Sequence, residues 1–194
     1  MDTVISIDAG NVGSGIVILL NKKIVCGFNE PNNSVLSKIS SFIDVGNTIV
    51  VIEDVRPYSK PLSMQTIDTI KYVGELQYRL LNELQLPFEL ITRSEVKQWI
   101  FDRFPLLCTD RVDKKIARLH EAKRLKGEKG YRNKDGTMRK ASHNFVDDRI
   151  IQLCMQLHWG MVGKNKLGIR THVWQALACA STYLDKKSPV SGAI

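Results

Sequence analysis

The chain has 194 residues, 43% hydrophobic and 25% charged, enough to bury an ordinary core and expected to form one domain over 1–194. With 28 Lys and Arg against 20 Asp and Glu, its formal charge of +8 excludes an acidic or disordered class and points to a polyanionic partner. The apolar run Ile16 to Leu20 is five residues long, far short of the roughly 20 a membrane-spanning helix needs.

Met1, Asp2 and Thr3 lead directly into a strand-like run without a basic or apolar leader, so no membrane partner and a cytoplasmic setting are expected. Cys26, Cys108, Cys154 and Cys179 are scattered singly, which fits a reducing compartment. Cys154 and His158 have a ligand-like spacing, with Cys108 and His143 as conceivable partners, but the arrangement matches no zinc pattern.

Val4 to Ile7 is a β-branched run, residues 8–15 are rich in turn formers, and Ile16 to Leu20 resumes a strand, which reads as a hairpin. Asn21, Lys22 and Lys23 supply a second turn into a third strand over 23–28, completing an antiparallel meander. Apolar residues at Val35, Leu36, Ile39, Phe42 and Ile43 predict a helix over 34–45. Ile49 to Ile52 is continuously apolar, as a strand covered on both faces should be, and stops at Glu53 and Asp54.

An amphipathic helix is predicted over 64–84, closed by Pro87, then a strand over 88–91. Thr92, Arg93, Ser94 and Glu95 resemble a helix start for 96–101. Residues 101–146 hold thirteen Lys and Arg against six Asp and Glu. A helix over 111–125 and a turn around Asn133 to Gly136 are expected there. Such a run reads as a solvated face or a nucleic-acid contact, and the concentration of one sign favours the contact. Two more helices are predicted, over 145–157 and 171–184, with a frayed tail from 186.

The sharpest local feature is Asp8 at the exit of a buried strand, followed by Gly10, where a ligand could approach the backbone closely. A strand-end Asp is alone only a turn former. Glu53 stands at the exit of the second apolar run. If the two strands are neighbours, ~4.8 Å apart, the carboxylates repel one another unless a cation intervenes. A hard divalent metal is the natural cation. The competing reading pairs Glu53 with Arg56.

Asp8 with its following glycine, Glu53 in VVIEDV, the TRSEVKQWI segment and THVWQALACASTY together resemble the RuvC-type Holliday junction resolvases, phage-like members of the ribonuclease H-like superfamily. The match spans most of 1–100 and 145–185, with a basic insertion at about 101–144. The resemblance implies an α/β fold: a five-stranded mixed sheet, three antiparallel strands followed by two parallel ones, flanked by helices. It also implies a homodimer, with the 64–84 helix as interface element, that cuts four-way junctions with Mg²⁺ or Mn²⁺ in a bacterial or phage-infected cell.

By resemblance, Asp8 and Glu53 fall on the first two metal-binding carboxylates, and His172 and Gln175 on two further ligands one helical turn apart. His172 is then a ligand and a catalytic residue, shifting preference toward Mn²⁺. Gln175 departs from the pattern, a neutral amide where a carboxylate stands. Asp148 or Asp147 could supply the missing acid, or cap a helix. Lys97 and Arg149 match DNA-contacting positions, Tyr58 lies where relatives reach the junction centre, and Lys114 and Lys115 in the basic helix join the nucleic-acid contacts. Trp159 and Trp174 read as core or interface anchors.

Three functions therefore compete: a metal-dependent endonuclease for branched DNA, a junction-binding protein whose site has decayed, and a related nuclease acting on RNA or a hybrid. Sugar-kinase and actin-like ATPases also open with an Asp-x-Gly strand but need two such domains, and this chain is too short.

Overall fold

The computed structural model describes residues 2–44, 46–56, 61–126, 137, 141–161 and 169–187. The turn expected at Asn133 to Gly136 and the tail beyond 187 lie outside them. Five strands, β1 (Thr3–Asp8), β2 (Gly13–Leu20), β3 (Lys23–Pro31), β4 (Thr48–Asp54) and β5 (Phe88–Thr92), form one sheet in the order β3-β2-β1-β4-β5. The first three are antiparallel, while β4 runs parallel to β1 and β5 parallel to β4. This is the expected mixed sheet. The β2–β3 turn is tight because Asn21 (φ 49°) and Lys22 (φ 60°) both take left-handed conformations, the geometry that matches strand twist in a two-residue hairpin.

Alternate residues of β1 and β4 face opposite layers. Ile5, Ile7, Val50 and Ile52 pack with α1 (Val35–Ile39) and α2 (Met64–Asn82). Val4 and Val51 pack with α3 (Arg93–Arg103), α4 (Pro105–Leu125), α5 (Asp148–His158) and α6 (Val173–Lys187). Asp8 and Glu53 share the parity of Val4 and Val51, and so open toward α6.

The helix expected over 34–45 is shortened to five residues flanked by 3-10 turns at Asn32–Ser34 and Ser40–Phe42. Its serines explain this: Ser37 and Ser40 donate to the carbonyls of Ser34 (2.9 Å) and Ser37 (2.6 Å), drawing the backbone into tighter turns. Helix α4 starts six residues earlier than predicted, at Pro105, which suits a first helical position. It is also more than a charged insertion, because Cys108, Val112 and Ile116 join the core. Helix α5 starts at Asp148 instead of 145, which falls in a separate 3-10 turn, His143–Phe145.

Every residue of α6 from Val173 to Tyr183 is buried. Its small side chains, Ala176, Ala178, Cys179, Ala180 and Ser181, let the sheet approach one side and α3 and α5 the other. Trp159 and Trp174 are partly and fully buried in this layer, Trp159 donating to Ser181 Oγ (3.0 Å). The Cys108 thiol donates to the Ile100 carbonyl (3.7 Å), whereas His158 packs edge-on against Trp99, 5.4 Å between ring centres. No helix among the described residues is long and apolar enough to cross a membrane.

Helix α3 begins as soon as β5 ends, because Thr92 and Glu95 form a capping box. Burial opposes ionisation of Glu95, but hydrogen bonds from Lys186 and Thr92 hold its carboxyl at about 2. Thr92→Ala is expected to cost about 1 kcal/mol in urea unfolding at neutral pH. The Glu95 contribution is full above its unfolded value of 4.5 and is lost as pH falls toward 2; a Thr92→Ala loss that grows on acidification would contradict the capping role.

Candidate functional site

The last paired positions of the two parallel strands are Ile7 and Ile52. One residue further, Asp8 and Glu53 stand side by side just past that ladder, Asp8 still paired with Gly15 of β2 and Glu53 with Ile91 of β5. Both are buried, 5% exposed each, and their carboxyls lie within hydrogen-bonding reach of one another. They floor a cleft of about 510 Å³ whose walls include Arg93, Asp148, Arg149, His172 and Gln175.

Each wall residue is delivered by an element end. His172 immediately precedes α6, after a turn that holds Thr171 at φ 38°, unusual for a β-branched residue. Its Nδ1 lies 2.9 Å from Asp8 Oδ2. Gln175, in the first turn of α6, is buried. Arg93 is the first residue of α3, and its guanidinium reaches Glu53 Oε1 (3.2 Å) and the Asp148 carboxylate. Asp147 caps α5, accepting from Ile150 N (3.1 Å), which leaves Asp148 and Arg149 in the first turn at the rim.

The electrostatics follow from two acids sharing a buried corner. Burial first, then the neighbouring Asp8 carboxyl, pushes the Glu53 carboxyl well above the usual range, against the pull of Arg93. The Asp8 hydrogen bond raises the His172 imidazole above its ordinary value although burial opposes it. Burial alone would lower Arg93, but Glu53 and Asp148 raise it.

These donors are engaged with one another. Among the described residues no three His, Cys, Asp or Glu are opened around a common centre ready for a metal ion, because His172 is turned onto Asp8 and Arg93 onto Glu53. The donor set nonetheless fits a hard divalent ion: two buried carboxyls that crowd each other, with an imidazole alongside.

Glu53 pairs with Arg93, and Arg56 with Asp54, so the alternative Glu53–Arg56 pairing is replaced. Gly10 serves the turn rather than a ligand: an added Cβ would strike the Gly13 carbonyl, and the Gly10 carbonyl accepts from Asn32 Nδ2 (2.9 Å). Lys97, Lys115 and Arg149 line a shallow hollow of about 360 Å³ beside the cleft, with Asn144 and Asp147. Lys115 is tied to Asp147 (2.7 Å). Burial, then the neighbouring Arg93 charge, lowers the Lys97 ammonium from its ordinary value. Lys114 pairs with Asp110 (2.9 Å) on the exposed side of α4 and lines neither concavity. Tyr58 lies outside the described residues.

Two residues were missed by sequence reasoning. In the sequence Arg93 is only part of a helix start, although its place directly after the strand beside β4 is a usable signal. Gly15, opposite Asp8 in the sheet, carried no signal: an added Cβ would sit 2.6 Å from the His172 carbonyl oxygen.

No protein-family model matches the chain, and no curated protein does. Among solved structures, Thermus thermophilus RuvC in complex with a Holliday junction substrate is similar over 97% of each chain, at 14% identity and a TM-score of 0.54. A second Thermus thermophilus RuvC structure is similar over 96% of this chain and 95% of that one, at 14% identity and a TM-score of 0.53. The likeness runs the length of both molecules and shows a shared fold, a five-stranded mixed sheet flanked by helices.

Proposed function

We propose that the protein is a divalent-metal-dependent endonuclease for branched DNA, with the four-way junction as its substrate. The observation that carries this reading is the pair of buried carboxyls, Asp8 and Glu53, side by side at the exits of parallel strands with His172 against them. The fold supports it, since one of the similar structures is RuvC in complex with a Holliday junction substrate.

Asp8, Glu53 and His172 would hold Mg²⁺ or Mn²⁺. When bound, the ion supplies charge neutralisation and Lewis-acid assistance to phosphodiester hydrolysis. Around it, the chain's own groups bind and orient. Lys97, Lys115 and Arg149 line the neighbouring hollow and hold flanking phosphates. The Asp8 hydrogen bond fixes the orientation of the His172 ring. Paired cuts in a junction call for two equivalent sites and hence a homodimer, for which α2, with Tyr78 and Leu81 exposed, is the proposed contact.

Gln175 favours one second reading, a junction-binding protein without cleavage, because a neutral amide stands in the cleft where the resemblance places a carboxylate. Incubation with synthetic four-way junction, flap and RNA–DNA hybrid in Mn²⁺ or Mg²⁺ separates the readings. Preferential nicking of the junction is expected. Salt-sensitive binding without nicking favours the second reading, and preference for the hybrid overturns the substrate assignment. Lys97→Gln is expected to weaken junction binding and reduce the slope of log affinity against log salt by about one, the signature of a lost phosphate contact; an unchanged slope removes Lys97 from the interface.

A further inference from the structure

We infer that Arg93 is a resident cation of the cleft, holding Glu53 and Asp148 together in the place of a second divalent ion, so that the site takes one metal ion per chain. This rests on the metal-site reading above and specifies its charge.

Four carboxyl groups line the cleft, Asp8, Glu53, Asp54 and Asp148; Asp54 pairs with Arg56, and Glu53 and Asp148 are joined by the Arg93 guanidinium. They come from different elements, β4 and α5, so the bridge spans the gap in which another ion would have to be chelated. A guanidinium suits this position: it is planar, permanently charged and donor-only, and presents several N–H groups to two carboxylates at once. Gln175, buried and neutral in the same cleft, adds no charge. With Asp54 paired to Arg56 and Asp148 to Arg93, Asp8 and Glu53 are the carboxyls left for a single divalent cation.

Arg93 is held in place. It opens α3 at the capping box of Thr92 and Glu95, and Lys186 from the far end of α6 clamps Glu95 Oε1 at 2.6 Å. With the helix start fixed and Glu53 buried, the guanidinium differs from the exposed ion pairs of α4, which join neighbours on one helix surface.

The test is Mn²⁺ binding by the full chain without DNA, counting free Mn²⁺ by electron paramagnetic resonance and heat by calorimetry, with circular dichroism to verify folding. Wild type is expected to bind one ion and Arg93→Gln two. Arg93→Lys, which keeps the charge, should stay at one. The double variant Arg93→Gln with Asp148→Asn should return to one, because Asp148 is needed for the additional ion. Two ions on wild type, or one on Arg93→Gln, overturns the proposal while leaving the metal site intact. Absence of binding, or binding unaffected by Asp8→Asn, overturns the metal-site reading and the proposal with it.

Discussion

Asp8→Asn is expected to lower junction cleavage in Mn²⁺ or Mg²⁺ by roughly 10³-fold or more, the scale seen when a principal electrostatic group leaves an active site. Junction affinity at fixed salt should remain within about twofold, because binding depends on the basic groups at the rim. The substitution preserves shape while removing one of two crowded charges. In the absence of metal the variant should therefore be at least as resistant to urea as wild type, since Glu53 loses the carboxyl that opposes its ionisation. Cleavage within tenfold of wild type would remove Asp8 from the reaction, and with it the proposed metal centre.

Gly15→Ala should be the most damaging small substitution. Its Cβ would lie 2.6 Å from the His172 carbonyl oxygen and 2.7 Å from the His172 Cβ, and the obstacle is largely backbone, which a rotamer change cannot clear. Overpacking of this kind costs about 1–3 kcal/mol, readable as a lower urea midpoint. Displacing His172 by an ångström should reduce cleavage by about 10²-fold beyond the loss of folded protein. Gly74→Ala, on α2 with open space around it, is the matched control and should be neutral or stabilising by roughly 0.5–1 kcal/mol through helix propensity. A Gly15→Ala protein as stable and active as wild type would show that α6 tolerates a shift at its start.

Much of the sheet was legible because burial on both faces leaves continuous apolar runs. Ile49 to Ile52 is such a run and Val4 to Ile7 is broken only by the buried Ser6, and each is followed directly by an acid, Glu53 or Asp8. Parity did the rest, putting Asp8 and Glu53 in one layer. Local chemistry also revealed the Thr92–Glu95 helix start. What stayed hidden depends on partners distant in sequence. Arg93 looks like any helix-opening arginine until β4 and α5 bring Glu53 and Asp148 to it. Gly15 is one of several glycines in a turn-rich stretch until His172 settles over it. Residues 34–45 show helical spacing, yet serine hydroxyls compete for the carbonyls. In α6 periodicity loses its meaning, because small residues bury every side.

A helix sealed on all sides can neither slide nor turn without opening the core around it. The imidazole and amide at its head are thus presented as a rigid pair, and whatever accommodation an incoming strand requires must come from the other wall of the cleft, where Asp148 and Arg149 ride on an exposed first turn.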